Sequence, residues 1–268
     1  MTTRWNDICR ELTALSEEVY RWAVAQPSVG EESLTDWLLY TASERMPYVA
    51  YHKFTRHEEA RESGADWDWW FVDGQHALGL RIQAKRLRVS KDLYPSLAHS
   101  NRHGLQIDKL RESASDSNLI PLYSFYSSES KPSSILCRGR AVRPSGQGIF
   151  LAAASSVHEM LFSGVRRQIA ADQLVAIANP LPCVACCPIA LKSGSASPVS
   201  GLLRHLEEYF PSEFDSSTGN RIGMHDHPPD YVASLLRGER EEMGDAWEQE
   251  FTQGVTGTKA ILAFSLSD

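Results

Sequence analysis

Gly64-Ala65-Asp66-Trp67-Asp68-Trp69-Trp70-Phe71-Val72, then Asp73-Gly74, then Gly79-Leu80-Arg81-Ile82-Gln83-Ala84-Lys85-Arg86-Leu87: the reading of this chain turns on these residues. The first run is aromatic and apolar, the composition of a half-buried strand. The second alternates apolar Leu80, Ile82 and Ala84 with polar Arg81, Gln83 and Lys85. Asp73-Gly74 marks a turn between them, so the pattern predicts an antiparallel hairpin. Side chains two apart on a strand share a face, which groups Asp66 with Asp68 and Gln83 with Lys85. An even-numbered connection puts both pairs on the same side. Two carboxylates, a carboxamide and an ammonium then converge, as metal and phosphate chemistry requires.

Working outward, apolar residues from Trp5 through Ile8, Leu12, Leu15, Val19 and Trp22 recur at helical spacing and stop before Pro27. A second helix begins near Val29-Gly30, with Glu31 and Glu32 in its first turn, where acidic residues suit the macrodipole. Pro47 ends it, and 48–55 reads as a strand. A short helix starting at Gln106-Ile107-Asp108-Lys109-Leu110 and a buried strand over 120–126 follow. The predicted order is α-β-β-β-α-β, an α/β fold with a mixed central sheet. Further on, 149–165 reads as helix, Ala176-Ile177-Ala178 and Cys183–Cys187 as strands, 202–210 and 231–237 as helices, and 259–266 as a closing strand.

The chain has 268 residues, enough for one large domain with an ample core, and its 42% hydrophobic content is that of a globular protein. No apolar run approaches the ~20 residues of a membrane span. No signal-peptide core occurs at the N-terminus. Five cysteines, an odd number, favour a reducing, cytoplasmic setting. The net charge of −7 argues against non-specific coating of nucleic acid. Basic residues nevertheless cluster at Lys53 and Arg56 and at Lys85, Arg86, Arg88 and Lys91. They are read either as a phosphate-facing rim or as solvated strand ends.

G-x-D followed by Q-A-K-R resembles the PD-(D/E)XK nuclease superfamily, and within it the Mrr-like restriction endonuclease branch. It is also similar to a bacterial family carrying G-A-D-W-[DE]-W-W and Q-A-K-R-L, for which a role in phage defence is suspected. The resemblance covers residues 30–126. It implies a restriction-endonuclease-like core, with 127–268 as a C-terminal elaboration packed on it inside a single domain. It also implies a nuclease dependent on Mg2+ or Mn2+, acting on DNA ahead of RNA. A non-cleaving module that binds nucleic acid or a nucleotide is the alternative, as is an interaction subunit of a defence system. A homo-oligomer stays open.

By that resemblance Asp66 is the central metal ligand, Asp68 a second or outer ligand, and Gln83 stands where a Glu is commoner. Glu32 supplies a carboxylate from the preceding helix, with Glu31 as its substitute. Lys85 acts on the attacking water or the phosphate. Lys53, Arg86, Arg88, Gln106 and Lys109 are candidate nucleic-acid contacts. A structural ion pair competes as the explanation of Asp66/Asp68 with Lys85. Trp70 falls on the site face, where core filling is weighed above stacking on a base. Cys183-x-x-Cys186-Cys187 with His225-Asp226-His227 offers soft ligands, but the spacing is unusual for structural zinc and disfavours it.

Overall fold

The periodic apolar positions of the N-terminal segment form one long helix, α1 (Thr3–Ala25), whose Trp5, Ile8, Leu12, Leu15 and Val19 are buried. The computed structural model describes residues 3–54, 63–74, 76–87, 93–95, 97–101, 104–128, 146–162, 169–175, 177–187, 197–214, 222–239 and 257–267. Helix α2 (Glu31–Arg45) follows, then strands β1 (Val49–Lys53), β2 (Trp67–Asp73) and β3 (His76–Arg86), helix α3 (Gln106–Asp116) and strand β4 (Ile120–Tyr126). The expected α-β-β-β-α-β order is therefore present. Beyond it come β5 (Ile149–Ala153), α4 (Ala154–Phe162), β6 (Ala178–Pro180), α5 (Pro198–Tyr209), β7 (Met224–His225), α6 (Asp230–Arg237) and β8 (Ala260–Ser265).

These eight strands join one mixed sheet in the order β1-β8-β2-β3-β4-β5-β6, with β7 beside the start of β3, and the described residues add two small two-stranded ribbons, Leu93–Tyr94 with Ile169–Ala170 and Ser100–Asn101 with Gly104–Leu105. β2 and β3 form the predicted antiparallel hairpin, from Trp67 opposite Ile82 to Asp73 opposite His76. The turn is tighter than the sequence suggested, because β3 begins at His76. Gly74 supplies a positive φ of 59° there, as such tight hairpins demand. β4 runs parallel to β3, and β8 runs parallel to β2. The last strand thus lies in the interior of the sheet, between β1 and β2, rather than closing an edge.

Alternation on β2 sorts two cores. Trp67, Trp69 and Phe71 face a layer holding α1, α2 and α5. The opposite face carries α3 and α4 over Tyr123 and Phe125, and α6 over Trp70 and Val72. Helices on both faces are the usual way to cover a sheet with parallel strands.

Two elements differ from expectation. Ile149–Ala153 is a strand and the helix starts only at Ala154. Its alanines favour helix intrinsically, but pairing with β4 and burial on both faces override that preference. Cys183–Cys186 is a single helical turn instead of a strand, with Pro182 in the αR conformation before it. That turn packs on α1, where Cys186 is disulfide-bonded to Cys9. The bond removes the cysteine count as an argument about compartment. None of the helices among the described residues is long and apolar enough to cross a membrane.

Candidate functional site

The site lies where the C-terminal end of β3 meets the segments entering β2 and β8. Three residues before β2, Gly64 has φ +76°, and a Cβ on it would sit 2.5 Å from the Gln106 carbonyl oxygen. Only glycine lets the chain pass this close to the first turn of α3. Asp66 follows, its backbone N–H bonded to the Ile82 carbonyl at 2.8 Å. Its side chain accepts three hydrogen bonds. Oδ2 takes the Ala84 N–H at 2.8 Å and the Gln83 carboxamide. Oδ1 takes the Lys259 ammonium at 2.7 Å. Gln83 in turn accepts from Gln106 Nε2 at 2.6 Å.

Two more charged groups border this cluster. Lys85 is buried on β3, and its Nζ lies 3.8 Å from Glu31 Oε1. Burial pushes the Glu31 carboxyl up to about 7, while Lys85 pulls it down and Asp66 pushes it further up. Behind the cluster, Tyr123 on β4 pairs with Gln83, and its buried hydroxyl has no hydrogen-bond partner among the described residues. Burial is the main reason its pKa is raised, with Asp66, Asp108 and Glu31 adding to it.

The predicted residues divide cleanly. Asp66, Gln83 and Gln106 are joined by hydrogen bonds, and Lys85 stands beside them through Glu31. Asp68 shares their face of β2 but is consumed elsewhere. Arg81 Nε and Nη2 donate to its two oxygens at 2.9 Å each, with both side chains buried. Arg81 Nη1 also donates to the Ser113 carbonyl at 2.8 Å. The structural ion pair weighed for these carboxylates named Lys85 as the cation, whereas Asp68 pairs with Arg81, Asp66 with Lys259, and Lys85 with Glu31. Glu32 is exposed on α2, and its neighbour Glu31 is the one directed at Lys85. One residue along a helix turns a side chain by about 100°, so Glu31, the substitute, and not the Glu32 favoured by the resemblance, is the glutamate that lies beside Lys85.

Among the candidate nucleic-acid contacts, Lys53 is paired with Asp36, and the Arg86 guanidinium donates to the Pro27 carbonyl. Lys109 lies half-buried on α3. Arg56, Arg88 and Lys91 fall outside the described residues. Trp70 is buried, edge-on to His225 at 5.0 Å and Tyr231 at 6.0 Å, so it fills the core. Cys186 is in the disulfide, Cys183 and Cys187 are buried, and the His225 ring bonds the Asn118 carbonyl at 2.9 Å. Among the described residues, no three or more His, Cys, Asp or Glu side chains are grouped to hold a metal ion.

Lys259 was not singled out from sequence. The only signal for it is its position just ahead of the apolar run Ala260-Ile261-Leu262-Ala263-Phe264. That becomes informative once the run is known to pair alongside β2.

The described residues define an α/β protein with a mixed sheet and a polar cluster centred on Asp66. The chain belongs to a family of unknown function (DUF6615), whose model matches residues 8–263. No curated protein and no solved structure matches the chain.

Proposed function

We propose that this protein is a divalent-metal-dependent nuclease with a restriction-endonuclease-like core, acting on DNA ahead of RNA. The observation that carries the reading is the convergence on Asp66: Gln83 bonded to it, Gln106 bonded to Gln83, and the Lys85–Glu31 pair alongside. These groups come from the elements and in the order that the resemblance to PD-(D/E)XK nucleases implies.

The donor set fits a hard cation. Asp66 and Glu31 offer carboxylate oxygens and Gln83 an amide oxygen, and magnesium is commonly held by one or two carboxylates with waters and phosphate completing its shell. A third acidic ligand is therefore not required. When bound, such a cation neutralises phosphate charge and lowers the pKa of a water.

The chain's own groups do the rest. Lys85, held by Glu31 in a mostly buried setting, orients the attacking water or stabilises charge on the phosphate. Gln106, at the first turn of α3, fixes the Gln83 carboxamide and adds a donor near the substrate backbone.

Incubation of the purified protein with linear and supercoiled DNA, with and without Mg2+ or Mn2+, tests this directly. Metal-dependent cleavage is expected, lost in Lys85→Ala while circular dichroism stays unchanged. Cleavage retained in Lys85→Ala removes that residue from the mechanism. Absence of cleavage in every metal condition removes the nuclease reading.

One observation favours a second reading, a non-cleaving nucleic-acid- or nucleotide-binding module. Both oxygens of Asp66 are satisfied by protein donors. In that reading DNA or nucleotide binds with an affinity that Mn2+ does not change.

A further inference from the structure

The strand β8 carries into the site a cation that the nuclease reading does not use. Lys259 precedes β8, and its backbone is fixed on both sides: its N–H bonds the Asp66 carbonyl at 3.3 Å, and its carbonyl accepts from the Phe54 N–H at 2.9 Å. The backbone ladder therefore sets Lys259 against Asp66 before any side chain contributes. The ammonium then lies 2.7 Å from Asp66 Oδ1, the carboxylate oxygen that Gln83 and Ala84 leave open.

We propose that Lys259 is a built-in competitor for the metal ion, holding Asp66 Oδ1 until a divalent cation displaces it. The inference rests on the nuclease reading and specifies the regulation of that same site. Three physical points support it. An ammonium and a divalent cation seek the same anionic oxygen, so they cannot both occupy it at contact distance. The Lys259 side chain is 43% exposed while that of Asp66 is 13% exposed, so the lysine can swing into water and the carboxylate cannot. A lysine displaced from the carboxylate toward solvent also regains rotamer freedom and hydration. Lys85, buried and facing Glu31, is not placed to play this part.

The consequence is a site that stays closed at low metal concentration without a separate inhibitor. Isothermal titration of Mn2+ into the full chain tests it, comparing wild type with Lys259→Met, Lys259→Gln and Lys259→Arg. Removing the competitor in Met and Gln should tighten Mn2+ binding about two- to fivefold, the range expected for losing a partly exposed ion pair. Arg keeps a cation and should restore the wild-type value. The Gln variant, which keeps a polar group of similar reach, decides the matter if Met does not fold by circular dichroism. Equal or weaker binding in the neutral variants, with wild type binding Mn2+, overturns this inference and leaves the nuclease reading standing. No Mn2+ binding by any of the proteins overturns both.

Discussion

Asp68 and Arg81 face each other across the β2–β3 ladder and close a buried, two-pronged ion pair, each N–H···O distance being 2.9 Å. Burial pushes the Asp68 carboxyl up and the guanidinium pulls it back down. Taking away one partner leaves the other charge buried and unpaired, which costs far more than the intact pair contributes.

Asp68→Ala should therefore lower stability by about 3–5 kcal/mol in urea unfolding. Asp66→Ala should lower it less, because Asp66 lies at the partly open end of the sheet. Mn2+ titration should give the opposite order, with affinity lost in Asp66→Ala and kept in folded Asp68→Ala. A loss of Mn2+ binding confined to Asp68→Ala would transfer the central role to that carboxylate.

Gly64→Ala should destabilise by about 2 kcal/mol or more, because the residue holds φ +76° and the new methyl meets the Gln106 carbonyl oxygen. Gly74→Ala is the control, since a Cβ at Gly74 meets nothing within 4 Å and only its positive φ is strained. Equilibrium unfolding of the two variants should separate them clearly. The Gly64 variant should also bind Mn2+ more weakly, as the close approach that brings Gln106 to Gln83 is lost.

The hairpin and its face assignments were legible in the sequence because alternation is a local property. Asp66, Gln83 and Lys85 share a side for that reason alone. Partners were not legible. Arg81 lies within the motif, yet nothing local says that it, and not Lys85, would pair with Asp68. Glu31 and Glu32 are both consistent with a first helical turn, and only the rotation of α2 against the sheet chooses between them. Lys259 was beyond reach, since its role depends on where β8 pairs. The strand at Ile149–Ala153 read as helix because its alanines report a local preference that sheet pairing overrides.

Glu31 gives the protein a signature in pH. Its carboxyl is raised to about 7 from an ordinary value near 4.5. Between those values the folded state holds a proton that the unfolded state has lost, so this group's contribution to stability falls as pH rises through the window. Glu31→Gln cannot ionise and escapes that loss. Its melting temperature relative to wild type should therefore climb from pH 5 to pH 8. Mn2+ binding by wild type should strengthen over the same range, since binding must expel the proton. A constant melting difference would show that Glu31 titrates normally.

Tyr123→Phe should be neutral or stabilising by about 1 kcal/mol, because it removes a buried hydroxyl that has no partner among the described residues. Thermal unfolding monitored by circular dichroism is sufficient to read it. A clear loss of stability would mean that the hydroxyl is hydrogen-bonded in solution, with an ordered water as the natural partner.

The position of β8 bears on how the molecule is made. Residues emerge from the ribosome in order, yet the partner that joins β1 to β2 arrives some two hundred residues after β1. Until then the nascent chain has a hairpin and helices but a divided sheet, and Asp66 has no Lys259 beside it. A prematurely terminated product would thus carry the Asp66 motif on a divided sheet, and the surroundings of that carboxylate are completed only when the last strand is made.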